Sequence, residues 1–122
     1  MKIILKKQKK KFNKKEIEVS KFLFQKNIVF NPKDSKSYLY LAKIFNSEEN
    51  EKEEEKNLDT TLLLDPENEE AMYMLIKLKL KKSNYSKVQD LKEKFVIICV
   101  ELCEKTKEIN KTLKNIEPKN DT

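Results

Sequence analysis

The sequence predicts an all-α protein made of helix–turn–helix repeats with a long C-terminal capping helix. The chain of 122 residues has no Gly and three Pro, so it lacks the Asn-Gly and Gly-X turns of tight antiparallel hairpins. Lys, Glu and Leu dominate the composition, and these residues are good helix formers. With 38% hydrophobic and 39% charged residues, the chain suits helices that bury one apolar face rather than a deep globular interior.

An internal repeat supports the same fold class. The segments FNPKDSKSYLYLAKIF and LDPENEEAMYMLIKLK align when Pro32 is matched to Pro66, a separation of 34 residues. Apolar positions after each Pro also match, for example Leu41 with Leu75. Pro fixes φ and cannot donate a backbone hydrogen bond, so it separates one helix pair from the helix that follows.

Capping residues mark where the predicted helices start. Asn13 with Glu16 resembles a capping box, and Asp34 or Ser35, and then Asn68, can cap the helices after the two prolines. We predict helices at about 14–30, 35–46, 49–64, 69–82 and 86–116. Their core is predicted to include Leu41, Ala42, Phe45, Leu58, Leu62, Leu75 and Leu78.

The last predicted helix has an apolar stripe that continues at steps of three and four. The stripe comprises Val88, Leu91, Phe95, Ile98, Cys99, Leu102, Ile109, Leu113 and Ile116. It predicts one long helix, or two short helices broken near Lys105, that caps the last repeat; a coiled-coil or dimer seam is the alternative.

On such a helix Cys99 and Cys103 have Cβ atoms about 5–6 Å apart. A disulfide needs about 3.5–4.5 Å, so both thiols are predicted to stay reduced.

The 34-residue period and the matched positions resemble the tetratricopeptide repeat over about residues 13–95. The large residue that opens helix A of that repeat falls on Tyr38 and Met72, and its Leu-small pair falls on Leu41 and Ala42. The Trp of the pattern is absent. The resemblance implies an α-solenoid whose partner lies on the concave face formed by helix A of each repeat. The partner-binding residues that it implies are Lys36, Leu39, Tyr40, Lys43, Glu70, Tyr73, Met74, Lys77 and Lys81.

The composition argues against catalysis. Without His, the chain has no Ser-His-Asp or Cys-His machinery and no imidazole metal ligand. Without Gly, it has no phosphate-binding loop and no dinucleotide fingerprint. The two Cys do not fill a tetrahedral zinc site, and the acidic run from Glu48 to Glu55 lacks the spacing of a calcium loop. We therefore expect no enzyme, no cofactor and no metal.

The net charge of +6 is concentrated at the N-terminus, since residues 1–15 hold eight Lys and no acid. We expect residues 1–12 to form a basic flexible segment, 13–117 a helical repeat domain, and 118–122 a disordered tail. No apolar stretch is long enough to cross a membrane, and the expected location is the cytoplasm.

The predicted function is that of a protein-interaction adaptor for a protein or peptide partner, with acidic character favoured by the Lys on helix A. One alternative is a nucleic-acid or ribosome accessory protein that binds through the Lys-rich N-terminus. Another is a structural protein that forms a weak homodimer through its last helix.

Overall fold

The computed structural model describes residues 13–116, and this part of the chain is helical with short connections. Its six helices are α1 (Lys14–Phe30), α2 (Ser35–Ser47), α3 (Glu51–Leu64), α4 (Glu69–Lys81), α5 (Tyr85–Ile98) and α6 (Lys105–Ile116). The predicted all-α class is therefore confirmed for the described residues. The predicted N-terminal segment 1–12 and the tail 118–122 lie outside them.

The described chain forms two compact units, which meet in sequence between Leu64 and Asp65. Unit 1 contains α1, α2 and α3, and unit 2 contains α4, α5 and α6.

The predicted helix starts are confirmed at three N-caps. The Asn13 side chain accepts hydrogen bonds from Lys15 N and Glu16 N, the Asp34 side chain accepts from Lys36 N, and the Asn68 side chain accepts from Ala71 N.

The chain turns between helices without glycine. Glu49 after α2 and Ser83 after α4 take positive φ values of 58° and 61°, a conformation that glycine adopts at least cost. Asn50 N then donates to Phe45 O, and Asn84 N donates to Lys79 O, at 2.9 Å in both cases. These bonds satisfy carbonyls that the helix ends leave without an intrahelical donor.

Each unit has its own apolar core. In unit 1 the predicted residues Leu41, Ala42, Phe45 and Leu58 are buried, whereas Leu62 is half-buried. In unit 2 the predicted residues Leu75 and Leu78 are buried. They share the interior of unit 2 with Ala71, Met72, Ile76, Val88, Leu91, Phe95, Ile109 and Leu113.

The prediction of one long C-terminal helix is wrong. Helix α5 ends at Ile98 and α6 begins at Lys105, as in the alternative of two short helices. Cys99 has an extended backbone with φ −64° and ψ 148°, which stops the helical hydrogen bonding after Cys99 N donates to Phe95 O.

The prediction that both thiols stay reduced is also wrong, because Cys99 and Cys103 form a disulfide. The error follows from the helix assignment, since residues 99–103 leave the helix and the two Cα atoms approach to 5.2 Å. We name residues 99–104 the cystine loop.

Among residues 13–116, no helix is long and apolar enough to span a bilayer.

Candidate functional site

A groove lies between α1 and α2 in unit 1. Its volume is about 370 Å³, within the size range of small ligand sites. Helix α1 contributes residues spaced by three and four, which places them on one face of the helix. The lining residues are Ser20, Leu23, Phe24, Asn27, Asp34, Lys36, Ser37 and Tyr40.

Side-chain hydrogen bonds fix one end of the groove. Asn27 Nδ2 donates to Asp34 Oδ2 at 2.8 Å and to Ser37 Oγ at 2.7 Å. Ser37 Oγ donates to the same Asp34 oxygen at 2.9 Å. Because both hydrogens of the Asn27 amide are engaged, this network holds the last part of α1 against the start of α2.

The central wall of the groove is aromatic. The rings of Phe24 and Tyr40 stack with centroids 5.1 Å apart, and Lys43 Nζ lies 5.2 Å from the Tyr40 centroid. Such contacts orient the rings as well as burying them. The groove therefore presents an apolar surface beside a cationic side chain.

The predicted binding residues of unit 1 have different positions in the structure. Lys36 and Tyr40 line the groove, and Lys43 adjoins it through the Tyr40 ring. Leu39 is 7% exposed, so its prediction as a surface residue is corrected: its side chain packs in the interior. Residue spacing alone did not separate the buried side of α2 from its exposed side.

Ser20 is a groove residue that the sequence did not indicate. It is 4% exposed, and its hydroxyl has no hydrogen-bond partner among residues 13–116. A buried hydroxyl without a partner carries a desolvation penalty. A polar group of a ligand in the groove would relieve that penalty.

In unit 2 the predicted residue Tyr73 is contacted by α6. The Tyr73 hydroxyl donates to Glu108 Oε1 at 3.1 Å. Lys77 Nζ and Lys105 Nζ lie 5.0 and 5.7 Å from the Tyr73 ring centroid. Burial, and then the Glu108 hydrogen bond, raise the pKa of Tyr73, while that hydrogen bond, followed by Lys105, lowers the pKa of Glu108.

Helix α6 therefore occupies part of the surface predicted for a partner in unit 2. The sequence missed this contact because α6 was predicted to continue α5. Of the other predicted residues of this unit, Glu70 and Lys81 are exposed, and Met74 is half-buried.

A second polar site lies at the cystine loop of unit 2. Glu69 Oε1 accepts from Val100 N at 2.7 Å, from Glu101 N at 3.1 Å and from Leu102 N at 3.0 Å. Glu69 Oε2 also accepts from Glu101 N at 3.1 Å. Three consecutive backbone N–H groups thus bind one carboxylate, an arrangement that suits anions. Glu69 was not singled out from the sequence, because its partners lie about 30 residues later in the chain.

The backbone hydrogen bonds, led by that of Val100, lower the pKa of Glu69 below its ordinary value of 4.5. A carboxyl group with a lowered pKa in the folded state stabilises that state above its unfolded pKa, and the contribution is lost as pH falls through the folded value.

We expect the amide resonances of residues 100–102 to titrate together below pH 4.5. Glu69→Gln should abolish this titration in an NMR pH series, and its persistence in the variant would contradict the assignment.

The acidic run at the start of α3 is part of the unit 1 structure. Lys21 Nζ contacts Glu48 Oε1 at 3.0 Å, and Glu54, which is 3% exposed, accepts from Asn46 Nδ2 at 3.1 Å. Within residues 13–116, no group of three or more His, Cys, Asp or Glu side chains is placed to hold a metal ion.

Residues 13–116 are thus helical, with an open groove between α1 and α2 of unit 1. No protein-family model matches this chain, and no curated protein matches it.

Proposed function

We propose that this protein is an interaction scaffold that binds a protein or peptide partner in the α1–α2 groove of unit 1. The observation that carries the proposal is the groove itself, with its stacked Phe24–Tyr40 wall and its buried Ser20 hydroxyl. Apolar surface beside a few placed polar groups is the usual composition of a binding site.

The resemblance to tetratricopeptide repeats supports a scaffold. Helices α2 and α4 begin at Ser35 and Glu69, and α3 and α5 begin at Glu51 and Tyr85. Both separations equal the 34-residue spacing of Pro32 and Pro66, and the ends of these helices keep the same spacing. We infer a repeated helix pair of tetratricopeptide type, arranged as an α-solenoid.

The partner that fits this groove carries an apolar side chain near a carboxylate. Leu23, Phe24 and Tyr40 offer apolar area to the side chain. Lys36 lines the groove and Lys43 covers the Tyr40 ring, so two cationic side chains lie beside that area. The Asp34 carboxylate, which also lines the groove, is hydrogen bonded to Asn27 and Ser37. Complementary charge favours association with an acidic segment and disfavours a basic one.

A pair of charge reversals tests this proposal. Lys36 and Lys52 are exposed and are each the second residue of a helix, α2 and α3 respectively. An acid near a helix N-terminus is compatible with the helix dipole, so Lys36→Glu and Lys52→Glu should both fold. In an affinity pull-down from native extract, we expect Lys36→Glu to lose at least about tenfold of the bound partner, a scale typical of a lost interfacial charge contact. Lys52→Glu should bind like the unmodified chain, and equal retention by both variants would exclude this groove.

Washing the same pull-down with increasing salt separates the other two functions. Nucleic acid bound through the Lys-rich N-terminus should be released steeply as salt rises, because its binding depends on counterion release. Recovery of a second copy of this chain alone would indicate a homodimer. Either result, without a partner that depends on Lys36, would contradict the scaffold.

A further inference from the structure

We propose that Cys99 and Cys103 form a reversible redox site, at which exchange with a dithiol converts the cystine loop into helix and joins α5 to α6. In the disulfide state, residues 99–104 form a loop that binds the Glu69 carboxylate. In the dithiol state, the same residues continue the helical hydrogen bonding of α5. This switch is independent of the groove in unit 1.

The two states exclude each other for geometric reasons. In a continuous helix, residues four apart have Cβ atoms about 5–6 Å apart, whereas a disulfide requires about 3.5–4.5 Å. The structure meets this requirement by ending α5 at Ile98 and extending the backbone at Cys99. The bond therefore keeps residues 99–103 out of the helix, and cleavage of the bond removes that restriction.

The Glu69 carboxylate strengthens the coupling between the bond and the loop. The N–H groups of Val100, Glu101 and Leu102 donate to Glu69 in the loop. In a continuous helix these three groups would donate to the carbonyls of residues 96–98, and Glu69 would lose all three. Glu69 thus binds only the loop form, which is the form that the disulfide stabilises. By thermodynamic linkage, the binding of Glu69 to the loop also stabilises the disulfide against reduction.

The sequence of this segment favours helix once the bond is open. No Gly or Pro lies between Tyr85 and Ile116, so no residue with a strong helix penalty interrupts it. Leu91, Phe95, Ile98 and Leu102 follow at steps of four, three and four, which keeps one apolar face through the loop. The joined helix would also move α6 and separate Glu108 from Tyr73, which are hydrogen bonded in the disulfide state.

The chemistry is ordinary thiol–disulfide exchange with a dithiol as the two-electron reductant. A thiolate of the dithiol attacks the Sγ atom of Cys103, an exposed residue, a mixed disulfide forms, and Cys99 leaves as a thiolate that takes a proton. The second thiolate of the dithiol attacks the mixed disulfide and releases Cys103 as a thiolate, which is also protonated. The protein gains two electrons and two protons, and the dithiol becomes a cyclic disulfide.

NMR on the full chain tests the switch directly. We expect the Cα chemical shifts of residues 99–104 to move to helical values when oxidised protein is treated with dithiothreitol. Cys99→Ser/Cys103→Ser should show helical shifts with or without reductant. Loop shifts that persist in both the reduced protein and this variant would overturn the proposal.

A redox titration tests the role of Glu69. In dithiothreitol buffers of fixed ratio, Glu69→Gln should raise the reduced-to-oxidised ratio of the protein by about tenfold, because the loop form loses charge-assisted hydrogen bonds. Glu67→Gln removes an exposed acid near the start of the same helix and should leave the ratio unchanged. Equal ratios for Glu69→Gln and the unmodified chain would overturn the coupling.

Discussion

Leu75→Asp is expected to unfold unit 2. The Leu75 side chain is 4% exposed and lies in the core of this unit. Replacing a buried leucine by a smaller residue costs about 2–5 kcal/mol, and an unpaired carboxylate in the same site adds a desolvation penalty. Because whole domains have unfolding free energies of only about 5–15 kcal/mol, the NMR amide resonances of residues 65–116 should collapse to the narrow range of an unfolded chain.

Leu63→Asp is the matched control for this experiment. Leu63 lies in α3 and is 79% exposed, so the same change introduces the carboxylate into water. Its cost is expected to stay below about 1 kcal/mol, the scale of an unfavourable acid near a helix C-terminus. If unit 2 of the Leu75→Asp variant still unfolded cooperatively, at a temperature similar to that of unit 2 in the Leu63→Asp control, this result would contradict the position of Leu75 in the core.

Phe95→Ala is expected to lower the free energy of unfolding of unit 2 by about 3–5 kcal/mol, the usual range for a buried aromatic residue. Phe95 is 0% exposed, and its ring lies 6.1 Å from that of Tyr73. Truncation leaves a cavity and removes this ring contact. Urea unfolding followed by circular dichroism gives the change directly.

Ile97→Ala provides the comparison on the same helix. Ile97 lies two residues away and is 80% exposed, so its truncation should change the free energy of unfolding by less than about 0.5 kcal/mol. Similar losses for Phe95→Ala and Ile97→Ala would mean that α5 has a different face in the core.

The helices before residue 98 were predictable because local signals agreed with one another. Asn13, Asp34 and Asn68 cap the helices that they were predicted to cap, since short polar side chains satisfy the first free N–H groups. Leu41 and Leu75 are buried, as the spacing of apolar residues required. The starts and cores of these helices therefore depend on residues close together in sequence.

The end of α5 was not predictable in the same way. The apolar stripe continues through Cys99 and Leu102, and no helix breaker follows Ile98 until Pro118. The break depends instead on the Cys99–Cys103 bond and on Glu69, about 30 residues earlier in the chain. Because a continuous helix holds Cys99 and Cys103 too far apart for a disulfide, the wrong prediction of one long helix also led to the wrong prediction of reduced thiols.

The candidate groove was predicted only in part. Lys36 and Tyr40 were named from the repeat pattern, and both line it. The groove residues of α1 are Ser20, Leu23, Phe24 and Asn27. The pattern did not mark them because it assigns binding residues to helix A alone. Side-chain packing between helices, as in the Phe24–Tyr40 stack, is not visible in the spacing of one helix.

Photo-crosslinking at Tyr40 tests partner binding in the groove most directly. A benzophenone amino acid replaces Tyr40, or in a control chain Tyr85, which lies in unit 2 at the start of α5. After irradiation in native extract and a high-salt wash, we expect a discrete protein crosslinked from position 40 and not from position 85. Its crosslinked peptide should contain an acid beside an apolar residue. Equal crosslinking from both positions, or none from position 40 while the chain remains folded, would contradict binding in the groove.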